Sequence, residues 1–154
     1  MRKILITGGA GFVGSSLALR LKQYFPEKKL VAFDNLKRRG SELNLSRLRE
    51  AGVEFIHGDI RQPGDLDVGK VEWIIECSAE PSALAGVDGS TDYLVHTNLL
   101  GTYHCLELAR KHHAGMIFLS TSRVYPLRKI HELNYRALST RFELENQQLI
   151  PGVS

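Results

Sequence analysis

Cysteine is scarce in this chain, with two in 154 residues, Cys77 and Cys105. Both lie in apolar surroundings without metal-like spacing. This excludes a disulfide framework and a cysteine-based metal site, and the expected state is reduced and buried, as in a cytoplasmic protein. Long apolar runs are also missing. None approaches the ~20 residues that span a bilayer, so no membrane role is expected. The first strand begins at once, so no signal peptide is expected. Charge of one sign is lacking too: 20 basic against 17 acidic residues give a formal +3. The basic residues are scattered except for Lys37-Arg38-Arg39. No basic stripe with interleaved aromatics is present, which argues against nucleic acid as a partner. Six histidines raise the question of a metal. The adjacent His112-His113 would point in different directions on a helix, and they read as polar residues closing it, so no metal site is expected.

What remains is an ordinary globular composition, 43% hydrophobic and 24% charged, in a length suited to one domain with a real core. Its most informative stretch is TGGAGFVG, residues 7–14, which follows the short apolar strand Ile4 to Ile6 directly. Glycines at 8, 11 and 14 suit a turn from strand to helix that holds a dinucleotide pyrophosphate. Gly8 would permit the tight turn, Gly11 the close approach of phosphate, and Gly14 close packing of helix on sheet. The N–H groups at the helix start, around Phe12 and Val13, and the positive end of its dipole would hold the anion. Asp34 ends the next strand, 20 residues after Gly14, where a carboxylate bonds the adenosine ribose. A carboxylate there repels a 2′-phosphate and favours NAD over NADP. Lys37-Arg38-Arg39 pulls the other way, because clustered cations accept phosphate.

Periodicity along the chain predicts alternating strands and helices. Strands are expected at about Lys3 to Thr7, Leu30 to Phe33, Glu54 to His57, Val71 to Cys77 and Met116 to Ser120. Helices are expected at about Gly11 to Tyr24, ended by Pro26, at Glu42 to Ala51, ended by Gly52, and over the long stretch Thr91 to His112, with a short one at Gln62 to Leu66. The run Trp73-Ile74-Ile75 suits a strand buried on both faces. This order is that of an α/β fold, a doubly wound parallel sheet of Rossmann-like type, with ligands beyond the carboxyl ends of its strands. Thr7, Asp34, Asp59, Ser78 and Thr121 fall at those ends. Beyond about residue 125 the chain turns polar, with one helix-like patch at Ala137 to Gln148, and the whole reads as the front half of something longer.

These motifs resemble the extended short-chain dehydrogenase/reductases, specifically the NAD-dependent epimerase/dehydratase family that acts on nucleotide sugars. TGGAGFVG resembles its nucleotide-binding turn and FDNL, residues 33–36, its ribose-binding strand end, which adds Asn35 to the candidate cofactor residues. HGDIR, 57–61, resembles the segment where an acid and its neighbour flank the adenine, here Asp59 and Ile60. TNLLGT, 97–102, resembles the Asn-x-x-Gly-Thr helix and marks Asn98; STSRVY, 120–125, resembles the motif carrying a catalytic Ser or Thr and marks Thr121. FDNLKRRGSELNLSRL and TSRVY look closest to the CDP-paratose (CDP-tyvelose) 2-epimerase branch.

The resemblance implies NAD as cofactor and a nucleotide sugar, in that branch a CDP-sugar, as substrate. It implies transient oxidation of a sugar hydroxyl followed by re-reduction, and a homodimer packed through helix 91–112. It divides the chain into an NAD-binding part, 1–125, and a polar extension, 126–154. Two departures stand out. Tyr24 and Tyr125 have a lysine four residues on, Lys28 and Lys129, but Pro26 interrupts the first spacing and Tyr125 belongs to the STSRVY motif, so neither reads as the family's Tyr-x-x-x-Lys pair on a helix and the chain is expected to be inactive alone. The loop CSAEPSAL after the fourth strand also differs from the family's usual form. A free-standing NAD-binding or regulatory module, and a non-catalytic scaffold in which the glycines are relics, are the competing readings.

Overall fold

The computed structural model describes residues 3–82, 84–87, 89–121 and 127–145. The chain divides into two units, Met1–Leu119 and Ser120–Ser154.

In the first unit, strands β1 (Lys3–Thr7), β2 (Lys29–Asp34), β3 (Glu54–His57), β4 (Val71–Glu76) and β5 (Gly115–Phe118) form one parallel sheet in the order β3-β2-β1-β4-β5. The order reverses between β1 and β4, which opens a crevice at their carboxyl ends. Helices α1 (Phe12–Tyr24), α2 (Leu45–Glu50), α3 (Asp92–Val95) and α4 (Thr102–His112) connect the strands. A tight helical turn, Ser41–Asn44, leads into α2, and another spans Pro63–Leu66.

The strands' two-residue alternation builds two cores. Leu5, Val31, Phe33 and Ile74 share one face with Cys105, Leu108 and Ala109 of α4. Ile4, Ile6, Leu30, Ala32 and Ile75 share the other with Ala18 of α1 and Leu48 of α2. Each fully buried aliphatic side chain contributes about 1.5–3 kcal/mol, which is why β1, apolar on both faces, is central. The expectation for β4 needs correction: Ile74 is fully buried, but Trp73 is 46% exposed. The groove beside it is lined by Leu21 of α1, Phe25 just after it, Ile75 and Ile117.

The predicted long helix is interrupted. Between α3 and α4 the chain makes a wider, π-type turn, His96–Gly101. Two contacts account for the irregularity. Asn98 reaches across to the loop after β4, accepting from the Glu80 N–H at 2.8 Å and donating to its carbonyl at 3.3 Å. Gly101 lies so close to Ile60 that a side chain there would enter it. An extra residue in the turn lets both contacts form.

The second unit holds α5 (Leu127–His131) and an antiparallel pair, β6 (Tyr135–Ala137) with β7 (Phe142–Leu144). The helix expected at 137–148 is therefore wrong over its described part, and residues 146–148 lie outside the described residues. Ser139 and Thr140 favour a turn, which the Leu138 N–H closes onto the Arg141 carbonyl at 2.8 Å. Tyr135 meets Phe142 edge-on at 5.4 Å, and Arg136 pairs with Glu143 directly across at 2.8 Å. Such cross-strand pairs outweigh the helical pattern.

Gly58, just past β3, leaves no space for a side chain: a Cβ would lie 2.5 Å from the ring of fully buried Phe33. Gly58→Ala should destabilise the fold by about 1–3 kcal/mol. Gly64→Ala, where nothing lies within 4 Å, should be neutral within about 0.5 kcal/mol. Urea midpoints of the two variants check this.

Candidate functional site

The turn after β1 is pinned from both sides of the crevice. The Gly9 N–H donates to the Phe33 carbonyl of β2 at 3.0 Å, and the Cys77 N–H, beyond β4, donates to the Thr7 carbonyl at 3.2 Å. The four glycines of the turn then separate by function. Gly8 has φ +61, and a Cβ there would stand 2.7 Å from the Cys77 carbonyl oxygen. A Cβ on Gly9 would stand 2.6 Å from the Ala32 Cα. One on Gly14 would enter the Gly8 carbonyl. Gly14 thus lets α1 approach the turn itself, where close packing on the sheet was expected. Gly11 differs: within 4 Å its Cβ would meet a single atom, the Gly8 oxygen at 3.1 Å. Gly11 also precedes α1 as its cap, where no side chain satisfies the helix's first N–H groups and no acid occupies the first turn. Phe12 is 87% exposed and Val13 46% exposed, so the helix start lies open.

Asp34 ends β2 and faces this turn. Its Oδ2 accepts from the Ala10 N–H at 3.1 Å and its Oδ1 from the Leu36 N–H at 2.8 Å. The carbonyl of Ala10 in turn accepts from Asn44 Nδ2 at 2.9 Å. Each carboxylate oxygen of Asp34 retains a lone pair for a hydroxyl. Asn35, its neighbour, donates to Asp59 Oδ2 at 2.9 Å and so links the loops after β2 and β3.

Asp59 is gripped by Arg61, whose Nη2 lies 2.6 Å from Oδ2 and whose Nε lies 3.0 Å from Oδ1. Burial pushes its carboxyl up, but the hydrogen bonds from Arg61 and Asn35 outweigh burial and hold the pKa down at about 2. Ile60 is buried, and its carbonyl accepts from His104 Nδ1 at 2.8 Å, which requires the proton on that nitrogen.

Glu76, at the end of β4, is a buried carboxylate that the sequence did not single out. Burial raises its pKa, against the Ser78 N–H at 2.8 Å and the Thr7 hydroxyl at 3.2 Å. Ser78 is half-buried and holds this acid through its backbone. Cys77 and Cys105 are free thiols, and burial pushes both up to about 12, so neither is a nucleophile. Cys105 is buried as expected, whereas Cys77 is half-buried. Thr121 is exposed and belongs to the second unit.

Among the sequence-derived residues, Gly8, Gly11, Phe12, Val13, Gly14, Asp34, Asn35, Asp59, Ile60 and Ser78 thus lie on the turns that follow β1 to β4, and Asn98 holds the last of these turns in place. Gly9, Asn44, Glu76 and Tyr93 were missed. Gly9 stood inside the glycine motif and carried a signal; the other three carry none without the fold.

A parallel sheet with an open glycine turn at its switch point defines a Rossmann-type dinucleotide-binding fold. Residues 4–143 match the NAD dependent epimerase/dehydratase family, and the chain belongs to that family. It is 33% identical over 147 residues to CDP-paratose 2-epimerase of Salmonella typhi, covering 91% of this chain and 42% of that protein. Among solved structures it resembles Helicobacter pylori ADP-L-glycero-D-manno-heptose-6-epimerase, with TM-score 0.68 and 31% identity over 80% of this chain and 40% of that one. It also resembles dTDP-glucose 4,6-dehydratase from Bacillus anthracis, solved in complex with NAD, with TM-score 0.65 and 28% identity over 79% and 38% of the two chains. The chain therefore spans less than half the length of these relatives. Among the described residues, no helix is long and apolar enough to cross a membrane.

The depressed acid at 59 gives a pH signature. Asp59→Asn should cost about 1 kcal/mol of stability at neutral pH, after allowance for solvent screening. A carboxyl whose folded pKa is lowered stabilises above its unfolded value, near about 4, and loses that contribution as pH falls through the folded value. Wild type and variant should therefore converge between pH of about 4 and about 2. Urea unfolding across that range checks it.

Proposed function

We propose that this chain is the NAD-binding N-terminal part of a nucleotide-sugar epimerase or dehydratase. The observation that carries the reading is Gly11. A Cβ on any of its three companions would come within 2.7 Å of backbone, whereas one on Gly11 would meet only the Gly8 carbonyl oxygen, at 3.1 Å, beside an uncapped helix start. A small residue at the least crowded point of the turn, next to N–H donors that no side chain caps, suits a pyrophosphate. In this reading Gly8, Gly11, Phe12, Val13 and Gly14 form the phosphate turn, Asp34 and Asn35 bind the adenosine ribose, and Asp59 and Ile60 flank the adenine. Ser78 and Asn98 shape the nicotinamide side.

Bound NAD supplies hydride acceptance from a sugar carbon and its later return. The chain's own residues bind and orient, and the Thr121 hydroxyl orients the sugar oxygen. Residues 1–125 serve the cofactor, and 126–154 lead towards the acid–base pair and sugar-binding parts. Of the two tyrosines with a lysine four residues on, Tyr24 ends α1 with Pro26 before Lys28 and Tyr125 belongs to the STSRVY motif, so neither is taken as the acid–base pair, and this chain binds cofactor without turnover. The substrate is a nucleotide sugar, with a CDP-sugar favoured by the 33% identity to CDP-paratose 2-epimerase. The setting is cytoplasmic. A homodimer through helix 91–112 is supported by its exposed Leu99, Tyr103 and Leu106.

Calorimetric titration with NAD and with NADP tests the cofactor assignment, and NAD should bind more tightly. Gly11→Val should abolish NAD binding with little change in the unfolding midpoint; unchanged affinity would overturn the site. Asp34→Ala should weaken NAD about tenfold, as expected for loss of a charge-assisted hydrogen bond, and NADP less. Equal loss for both would remove Asp34 from the ribose. Light scattering after size exclusion should show a dimer, and a clean monomer would exclude the helix interface.

A further inference from the structure

Tyr93 on α3 carries two cations. The ammonium of Lys37 lies 2.8 Å from its ring centroid and the guanidinium carbon of Arg61 lies 4.6 Å from it. The three residues come from three segments: Lys37 from the loop after β2, Arg61 from the loop after β3, and Tyr93 from α3. The contacts close into a ring. The Lys37 N–H donates to Asn35 Oδ1 at 3.0 Å, Asn35 donates to Asp59, Asp59 holds Arg61, and Arg61 and Lys37 meet again on Tyr93.

We infer that Tyr93 is a specificity-determining residue for the cofactor, holding the Lys37 ammonium on its ring and away from the ribose edge beside Asp34. This deepens the dinucleotide reading above and rests on it. Lys37 is the first cation of the Lys37-Arg38-Arg39 run and lies three residues past Asp34, on the loop that leaves the strand end, and its flexible stem carries a point charge able to bind phosphate. On the ring, the ammonium is attracted by the electron-rich face and is committed. Arg61 is committed as well, since Asp59 neutralises it. With Lys37 and Arg61 engaged, a 2′-phosphate meets the Asp34 carboxylate with only Arg38 and Arg39 of that loop left to oppose the repulsion. Without the aromatic face, Lys37 would lose its attraction, and its long stem would carry it outwards.

The test is calorimetric titration of the 154-residue chain with NAD and NADP for three variants beside wild type. Tyr93→Leu keeps apolar bulk and removes the aromatic face. It should tighten NADP by about three- to fivefold, the worth of one partly exposed cation–π contact, and leave NAD within about twofold. Tyr93→Phe keeps the face and should retain the wild-type ratio. Adding Lys37→Met to Tyr93→Leu should abolish the gain in NADP. Circular dichroism confirms the fold of each variant. The inference is overturned if Tyr93→Leu leaves the NADP-to-NAD ratio unchanged, if both cofactors weaken equally, or if the gain survives loss of Lys37. Wild-type chain that binds neither dinucleotide would instead overturn the cofactor reading itself, and this inference with it.

Discussion

Backbone pressed against backbone at the switch point is the constraint on which the rest of this structure depends. The Gly8 carbonyl lies where a Gly14 side chain would be, the Gly8 Cα abuts the Cys77 carbonyl, and Gly9 abuts Ala32. Each contact removes a side chain that would hold α1 away from β1, β2 or β4. The gain is positional. A helix start is brought to the crevice between β1 and β4 with its N–H groups unblocked, and the sheet supplies the rigidity that a loop alone would lack. The two hydrogen bonds that tie the turn to the Phe33 carbonyl and the Cys77 N–H make this geometry a property of three neighbouring strands.

Three carboxylates at the ends of adjacent strands show how environment divides similar groups. Asp34 spends its oxygens on two backbone N–H groups and shapes the loops around the turn. Asp59 faces a guanidinium and stays ionised far into acid. Glu76 is buried, with its pKa raised, on a hydroxyl and an N–H. The first two are half-buried at the loop surface, where an outside hydroxyl or amine can share them; the third braces β1 against β4. A sequence reading that weighs acids by position alone singles out Asp34 and Asp59 and passes over Glu76, because burial is not visible in residue type.

Local chemistry made much of the fold legible. The bounds of β1 and β3 follow directly from apolar alternation between turn residues, and spacing and motif point to the glycine turn, Asp34 and Asp59 as the residues that gather at the strand ends. The failures have physical reasons. Ala137 to Gln148 reads as a helix-like patch, but over its described part aromatic and charge pairs across a short turn stabilise two strands. The apolar run of β4 reads as buried on both faces, yet Trp73 is half-exposed, and periodicity cannot show whether a helix covers a strand. The interrupted helix between Asp92 and His112 was read as continuous, because its interruption is dictated by partners distant in sequence.

That interrupted helix explains why the loops after β2, β3 and β4 act together. Tyr93 touches Lys37 and Arg61, Asn98 binds Glu80, Gly101 packs on Ile60, and His104 bonds the Ile60 carbonyl. One element thus contacts every loop along the crevice beyond the glycine turn. On a regular helix of 3.6 residues per turn, contacts at 93, 98, 101 and 104 would spread over about 140° of the circumference, with 98 the outlier. The wider turn at His96–Gly101 shifts the second half of the helix relative to the first. The irregularity in the helix is therefore the means by which one segment fixes loops that leave the sheet at three different strands.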